Sequence, residues 1–336
     1  MATALSLFTA CQQLRQYKSH SYNYFDTIST VIGYEKSKEK FDEVSNFIFD
    51  LLDEYHKLFD IYNEYDGINN LCTVNKLTDG EHTVVTVDEK IIDMLLFAKE
   101  MHALTEGRTN IAMGSVLSIW HDYRTSGIDN PGEAALPPMD KLREAAAHTD
   151  INDLIIDEEA GTVYIRDPKM TLDVGAVAKG YAVERIAEAL KEKGITGYAL
   201  NIGGNVRAIG EKADGEPWKT GVENPVGDPE NPYIAYVGIT NESVVTSGSY
   251  QRYYIVGGQK YHHIIDKNTL MPAKGLISVS VVCEDSGLAD GLSTALFCMS
   301  LEEGMAFVNS LEGVEAVWVT EDRTTHYSDN FEDYKI

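Results

Sequence analysis

Apolar residues follow two different periods along this chain. In SKEKFDEVSNFIFDLLDEYHKLFD (37–60), Phe41, Val44, Phe47, Ile48, Leu51, Leu52 and Tyr55 recur at helical spacing and predict a long amphipathic helix. A second helix is predicted over about 88–105, where Ile91, Met94, Leu95, Ala98, Met101 and Leu104 share a face. NIAMGSVLSIWHDYR and MDKLREAAAH predict two more, separated by the turn-rich PGEAALPP. Ahead of them, YNYFDTISTVIGY (22–34) is rich in β-branched and aromatic residues and reads as one strand.

From about residue 151 the period shortens. DLIIDEEAGTVYIRD reads as a hairpin, MTLDVG as a strand entering a helix that Gly194 ends, and YALNIGG and VRAIGE as strands about a glycine turn. Further strands are predicted near 233–240, 244–247, 250–256, 261–265 and 277–283, then a helix at GLADGLSTALFCM and a late strand at EAVWVTED. Helices early and adjacent strands late indicate an α+β fold with mixed or antiparallel sheets. No clean linker appears, so residues 21–336 read as one domain or as two closely packed subdomains sharing a cleft.

Charge narrows the function. The 336 residues carry 28 basic and 53 acidic side chains, a net of −25, which argues against backbone binding of nucleic acid or attachment to anionic lipid by a basic patch. An acidic protein that handles phosphates needs local counter-charge, and a divalent cation supplies it. The cysteines Cys11, Cys72, Cys283 and Cys298 lie far apart without a C-x-x-C pair, against a zinc cluster or disulfide framework. LSLFTAC (5–11) resembles the end of a bacterial lipoprotein signal peptide with Cys11 as the lipidated residue, so residues 1–20 are set aside as leader and tether.

Three segments carry candidate chemistry, each with a plain structural alternative. On a helix, Asp290 and Thr294 of ADGLSTALF (289–297) project from one face and offer hard oxygens suited to Mg²⁺; they also read as an N-cap aspartate and an ordinary helix threonine. In YHHIID (261–266), strand alternation lets only one of His262 and His263 face a given cleft as a base, the other being a core or surface histidine. VVTSGSYQRYY (244–254) puts small polar residues where a phosphate could approach backbone N–H groups, or forms a normal turn. DVGAVAKGYA (173–182) is neither a Walker A loop nor a dinucleotide fingerprint.

In order, DVGAVAKGYA, NIGGN, TSGSYQRYY, YHHIIDKNTLMP and ADGLSTALF resemble the FAD:protein FMN transferases, the ApbE-type flavin transferases. FDT (25–27), IYNEYDGINNL (61–71) and GRTNIAMGSVLSIW (107–120) match that family more loosely. The resemblance implies a T-fold-like flavin transferase architecture, FAD as substrate and Mg²⁺ held by the carbonyl of Ala176 with Asp290 and Thr294. It implies flavin-nucleotide contacts from Phe25, Tyr62, Arg108, Thr109, Asn110, Asp173, Lys179 and Ile264, with His263 as general base. Arg108–Thr109–Asn110 depart from the family's usual residues at those places, as does Ser249 after T-S-G. The implied reaction moves FMN from FAD to a threonine hydroxyl of an acceptor bearing an Asp-x-x-(Ser/Thr)-Gly-Ala-(Thr/Ser)-Thr-like motif, on the extracytoplasmic side of a bacterial membrane. The chain contains no such motif and reads as the modifier. FAD hydrolysis to FMN and AMP, or flavin carriage without chemistry, are the rival readings.

Overall fold

Each long apolar period becomes a helix, and strands from both ends of the chain assemble into one large antiparallel sheet beside three small ones. A computed structural model describes residues 13–77 and 83–336; Cys11 and the leader-like run lie outside the described residues. In chain order the elements are β1 (Arg15–Tyr24), β2 (Thr27–Glu35), α1 (Lys38–Phe59), α2 (Leu71–Leu77), β3 (Val85–Thr86), α3 (Glu89–Leu104), α4 (Gly114–Asp129), α5 (Met139–Ala146), β4 (Leu154–Asp157) and β5 (Thr162–Ile165). Then follow α6 (Ala178–Glu192), β6 (Tyr198–Ile202), β7 (Asn205–Ile209), β8 (Trp218–Glu223), β9 (Tyr233–Ile239), β10 (Ser243–Gly248), β11 (Tyr253–Val256) and β12 (Gln259–His262). The chain closes with β13 (Leu276–Cys283), α7 (Ser286–Phe297), α8 (Leu301–Asn309), β14 (Glu315–Thr320) and β15 (Thr325–Tyr327).

Eight strands form the main sheet in the order β1-β2-β6-β7-β10-β13-β14-β15, and every pairing is antiparallel. Helices α1, α6 and α7 share the principal core with this sheet, including Phe41, Ile48, Leu52, Ile186, Leu190, Leu292 and Phe297. A second cluster, with Trp218, Val237, Val282 and Phe331, lies between the sheet and the β8–β9 hairpin. A third joins α4 and α5 to β11–β12 through Trp120, Leu142, Tyr254 and Leu270. The result is the α+β, antiparallel architecture expected.

Three expectations change. The tether expected over residues 1–20 overlaps the fold, because β1 pairs with β2 from Arg15 onward. The strand anticipated over 22–34 is a hairpin, because Phe25 and Asp26 both take left-handed backbone, φ 52° and 51°. Such conformations cost non-glycine residues roughly 1–3 kcal/mol each and persist only where neighbours fix them. Here the Phe25 N–H donates to His56 Nδ1 at 3.3 Å and the two rings pack edge to face. The strand anticipated at MTLDVG is not one. Its backbone is satisfied outside a ladder: Leu172 N–H donates to Asn75 Oδ1, Leu172 C=O accepts from Asn75 Nδ2, and Asp173 N–H donates to Ile111 C=O. Short elements α2, β8, α8 and β15 join those anticipated.

Candidate active site

The residues singled out from the sequence line one cavity of about 550 Å³. Phe25 comes from the β1–β2 turn, Tyr62 from the loop after α1, and Arg108, Thr109 and Asn110 from the segment before α4. Asp173, Ala176 and Lys179 come from the entry to α6, His263 and Ile264 from the segment after β12, and Asp290 and Thr294 from α7. A second hollow of about 720 Å³ is larger, but Glu54, Glu64, Asp66 and Asp88 line it and none of these residues does.

Ala176, Lys179, Asp290 and Thr294 are brought together where α6 meets α7. A Cβ on Gly180 would stand 2.3 Å from the Ser286 carbonyl oxygen and 2.4 Å from Asp290 Cβ, so only glycine allows this approach. Gly180 N–H donates to Asp290 Oδ2 at 2.8 Å. Gly180 lies in the first turn of α6, where N–H groups have no carbonyl partner within the helix. Among the described residues, no backbone N–H serves the carbonyl of Ala176, just ahead of that helix. Asp290 is 4 % exposed, and α7 is capped by Asp285, whose carboxylate accepts from Leu288 N–H. This settles one alternative: Asp290 is not an N-cap but lies within the helix, with Thr294 one turn further on.

Among the described residues no three His, Cys, Asp or Glu side chains gather as a metal cluster. The donor set here is of another kind, one carboxylate with a carbonyl and a hydroxyl. All are hard oxygens, of the type Mg²⁺ takes while keeping water and substrate oxygens in its remaining positions. The unpaired Ala176 carbonyl is the observation that fits a cation at this place.

Behind this arrangement, Arg207 is fully buried and forms a two-pronged pair with Glu184, Nε and Nη2 donating at 2.9 and 2.8 Å. Glu184 also accepts from the Ser286 N–H at 2.8 Å. The pair therefore ties α6, β7 and the start of α7 together.

The two adjacent histidines separate cleanly. His262 is 8 % exposed; its Nε2 lies 2.9 Å from the Ala273 carbonyl and its Nδ1 accepts from Ile264 N–H, which uses both nitrogens. His263 faces the cavity, with Nδ1 3.3 Å from the Arg252 carbonyl. Burial, and then the charges of Arg252 and Arg124, push the His263 pKa down to about 3. Asp173 moves the opposite way: burial raises its pKa, against the Gly175 N–H bond and nearby His121, Arg124 and Arg252.

The aromatic end is built on Asp60. Burial acts to raise its pKa, but bonds from Asn63, the backbone of Tyr62 and Asn63, and Tyr65 outweigh burial and lower it. That clasp presents Tyr62, 58 % exposed, with its ring 5.5 Å from the His121 ring. The polar groups of Thr109 and Asn110 are engaged within the protein: Thr109 Oγ1 donates to Gly291 C=O, and Asn110 Nδ2 to Thr149 C=O. Arg108 pairs loosely with Glu106 and Glu303.

Sequence reasoning missed His121, Arg124 and Arg252, which also line the cavity. Arg124 Nη2 lies 3.1 Å from His121 Nδ1. The available signal was scarcity: in so acidic a chain, arginines beside candidate site residues carry more weight than elsewhere.

Comparison with known proteins places the fold in a family. The ApbE family's model matches residues 25–318. The FAD:protein FMN transferase of Klebsiella pneumoniae (strain 342) is 31% identical over 276 residues, covering 80% of this chain and 82% of that protein. That of Treponema pallidum (strain Nichols) is 32% identical over 260 residues, covering 73% and 69%. Among solved structures, the ApbE protein of Thermotoga maritima superposes with a TM-score of 0.82 at 27% identity, over 96% of this chain and 100% of that one. The flavin transferase ApbE from Vibrio cholerae shares the fold, with a TM-score of 0.77 at 23% identity over 96% and 99%. The chain belongs to the ApbE family.

Proposed function

We propose that this protein moves FMN from FAD onto a threonine hydroxyl of an acceptor protein and releases AMP, with Mg²⁺. The observation that carries the reading is the junction of α6 and α7, where a carbonyl left without an N–H partner, a buried carboxylate and a hydroxyl face one cavity. Mg²⁺ held by Ala176, Asp290 and Thr294 would neutralise the charge of the diphosphate.

The chain's own groups supply the rest. Tyr62 offers an exposed ring face for the flavin or adenine, and Phe25 packs the neighbouring wall. With its Nδ1–H on the Arg252 carbonyl, His263 leaves Nε2 as an acceptor toward the cavity. The threonine oxygen bonds to the FMN phosphorus as the bond from that phosphorus to the bridging oxygen breaks. AMP departs with that oxygen, and the hydroxyl proton passes to His263 Nε2, whose basicity the negative charge of the bound diphosphate would raise above that of the free protein. The acceptor carries a motif of the Asp-x-x-(Ser/Thr)-Gly-Ala-(Thr/Ser)-Thr kind. A lipid on Cys11, ahead of β1, would hold the chain on the extracytoplasmic face. Among the described residues no helix is long and apolar enough to cross a membrane.

Incubation with FAD, Mg²⁺ and a peptide-tagged acceptor tests the reading. In-gel flavin fluorescence on the acceptor, lost when its threonine is replaced by valine, supports it. FMN and AMP without labelling would indicate water as nucleophile, and intact bound FAD a carrier.

A further inference from the structure

A cation already stands at Asp290 in this structure, and it is a side chain. Lys179 Nζ lies 3.3 Å from Oδ1 and 3.3 Å from Oδ2 of Asp290, and 3.3 Å from Oδ1 of Asn205. Charge-assisted N–H···O contacts normally close to about 2.7–2.9 Å, so the ammonium hangs between its partners and is seated on none. The two carboxylate oxygens are not equivalent. Oδ2 takes the Gly180 N–H at 2.8 Å. Oδ1 has Lys179 as its partner among the described residues. Oδ1 is thus the atom free for a metal, and the lysine's charge covers it.

An ammonium and a divalent ion drawn to one carboxylate repel each other, and in a largely buried site that repulsion is weakly screened. Asn205, 1 % exposed on β7, is fixed. Lys179 has a flexible four-carbon stem, its side chain is 23 % exposed, and it lines the cavity. Movement therefore falls to the lysine.

We propose that Lys179 is the resident cation of the site, that it leaves Asp290 when a divalent ion binds, and that its charge then goes to the phosphates of the substrate. This rests on the metal assignment of the preceding section and adds an order to it. Without substrate, Lys179 opposes the metal and binding is weak. With a diphosphate present, the displaced ammonium has an anion to meet, and metal and substrate each tighten the other.

The test is Mn²⁺ binding to the FAD-free full chain, followed by electron paramagnetic resonance, for the wild type and for Lys179→Met, Lys179→Arg and Asp290→Asn. Circular dichroism melting checks that each variant folds, and Lys179→Gln replaces the methionine variant if that one does not. Removing the lysine's charge should tighten Mn²⁺ roughly tenfold, whereas the arginine variant, which keeps a cation, should stay near wild type. Equal or weaker Mn²⁺ binding without the charge overturns the displacement, while Asp290-dependent binding in the wild type leaves the metal assignment standing. Wild-type binding that survives Asp290→Asn unchanged removes both.

Discussion

Gly180→Ala tests whether the α6–α7 contact builds the site. The added methyl would meet the Ser286 carbonyl oxygen at 2.3 Å and Asp290 Cβ at 2.4 Å. Ordinary contact needs about 3.4 Å or more, so the helices must part by about 1 Å. Neither obstacle is the end of a flexible side chain, so no rotamer change relieves it. Overpacking of this kind costs about 1–3 kcal/mol, and stretching the Gly180 N–H bond to the Asp290 carboxylate adds up to about 1.5–3 kcal/mol. Alanine's better helix propensity returns about 1 kcal/mol. With that bond lost, the net expectation is a destabilisation of about 1.5–5 kcal/mol. Function should suffer more than stability. The carbonyl of Ala176 and the side chain of Lys179 sit on one side of the widened contact, and Asp290 and Thr294 on the other. A shift of about 1 Å at reacting groups can cost about 100-fold in rate. Urea unfolding gives the first number and the rate of acceptor flavinylation at saturating FAD the second. A variant with wild-type stability and rate would refute the claim that glycine is required here.

Three other outcomes follow from the same geometry. Asp290→Asn keeps the shape and an acceptor for the Gly180 N–H but loses the charge, so transfer in metal-replete buffer should fall by about 10³-fold while the urea midpoint moves little; retained activity would remove Asp290 from the metal set. Because His263 is neutral in the free protein down to about 3, kcat/KM should show no acid limb near pH 6.5, and a limb there would contradict its burial beside Arg252 and Arg124. The sign for stability runs the same way: the unfolded chain takes a proton on this histidine below about pH 6.5 and the folded one only near 3, so stability is lost as pH falls through that window. Glu184→Gln leaves Arg207 buried without its counter-charge and should cost about 3–5 kcal/mol by chemical denaturation, whereas exchanging both partners for apolar residues of similar volume should restore most of it.

Much of this molecule was legible in the sequence, and what was not has definable causes. Helices α1 and α3 follow from apolar spacing, and α7 from the same signal, so Asp290 and Thr294 could be placed on one face. The MTLDVG segment misled because alternation and β-branching describe extended backbone, and extended backbone need not have a strand beside it. Its partners are the side chain of Asn75 and the carbonyl of Ile111, which lie remote in sequence. The β1–β2 turn misled for the opposite reason. Asp26 is a type that tolerates left-handed backbone, but Phe25 is not, and His56 from α1 holds Phe25 in place. Helix α8 did carry a readable signal, the reciprocal capping of Ser300 and Glu303.

The candidate site shows the same division more sharply. Its side chains could be gathered from motifs, but its central feature is a backbone event that residue types do not encode one by one. Gly180, in the first turn of α6, gives its N–H to a carboxylate 110 positions away, and among the described residues the Ala176 carbonyl just ahead of that helix has no backbone N–H partner. The small residues of DVGAVAKGYA permit this and do not announce it, because they equally suit a phosphate loop. Only the approach of α7, held by Glu184 and Arg207, turns a permissive turn into a set of oxygen donors. The motifs and the buried ion pair behind them are therefore parts of one device, and changes at either should reach the same site.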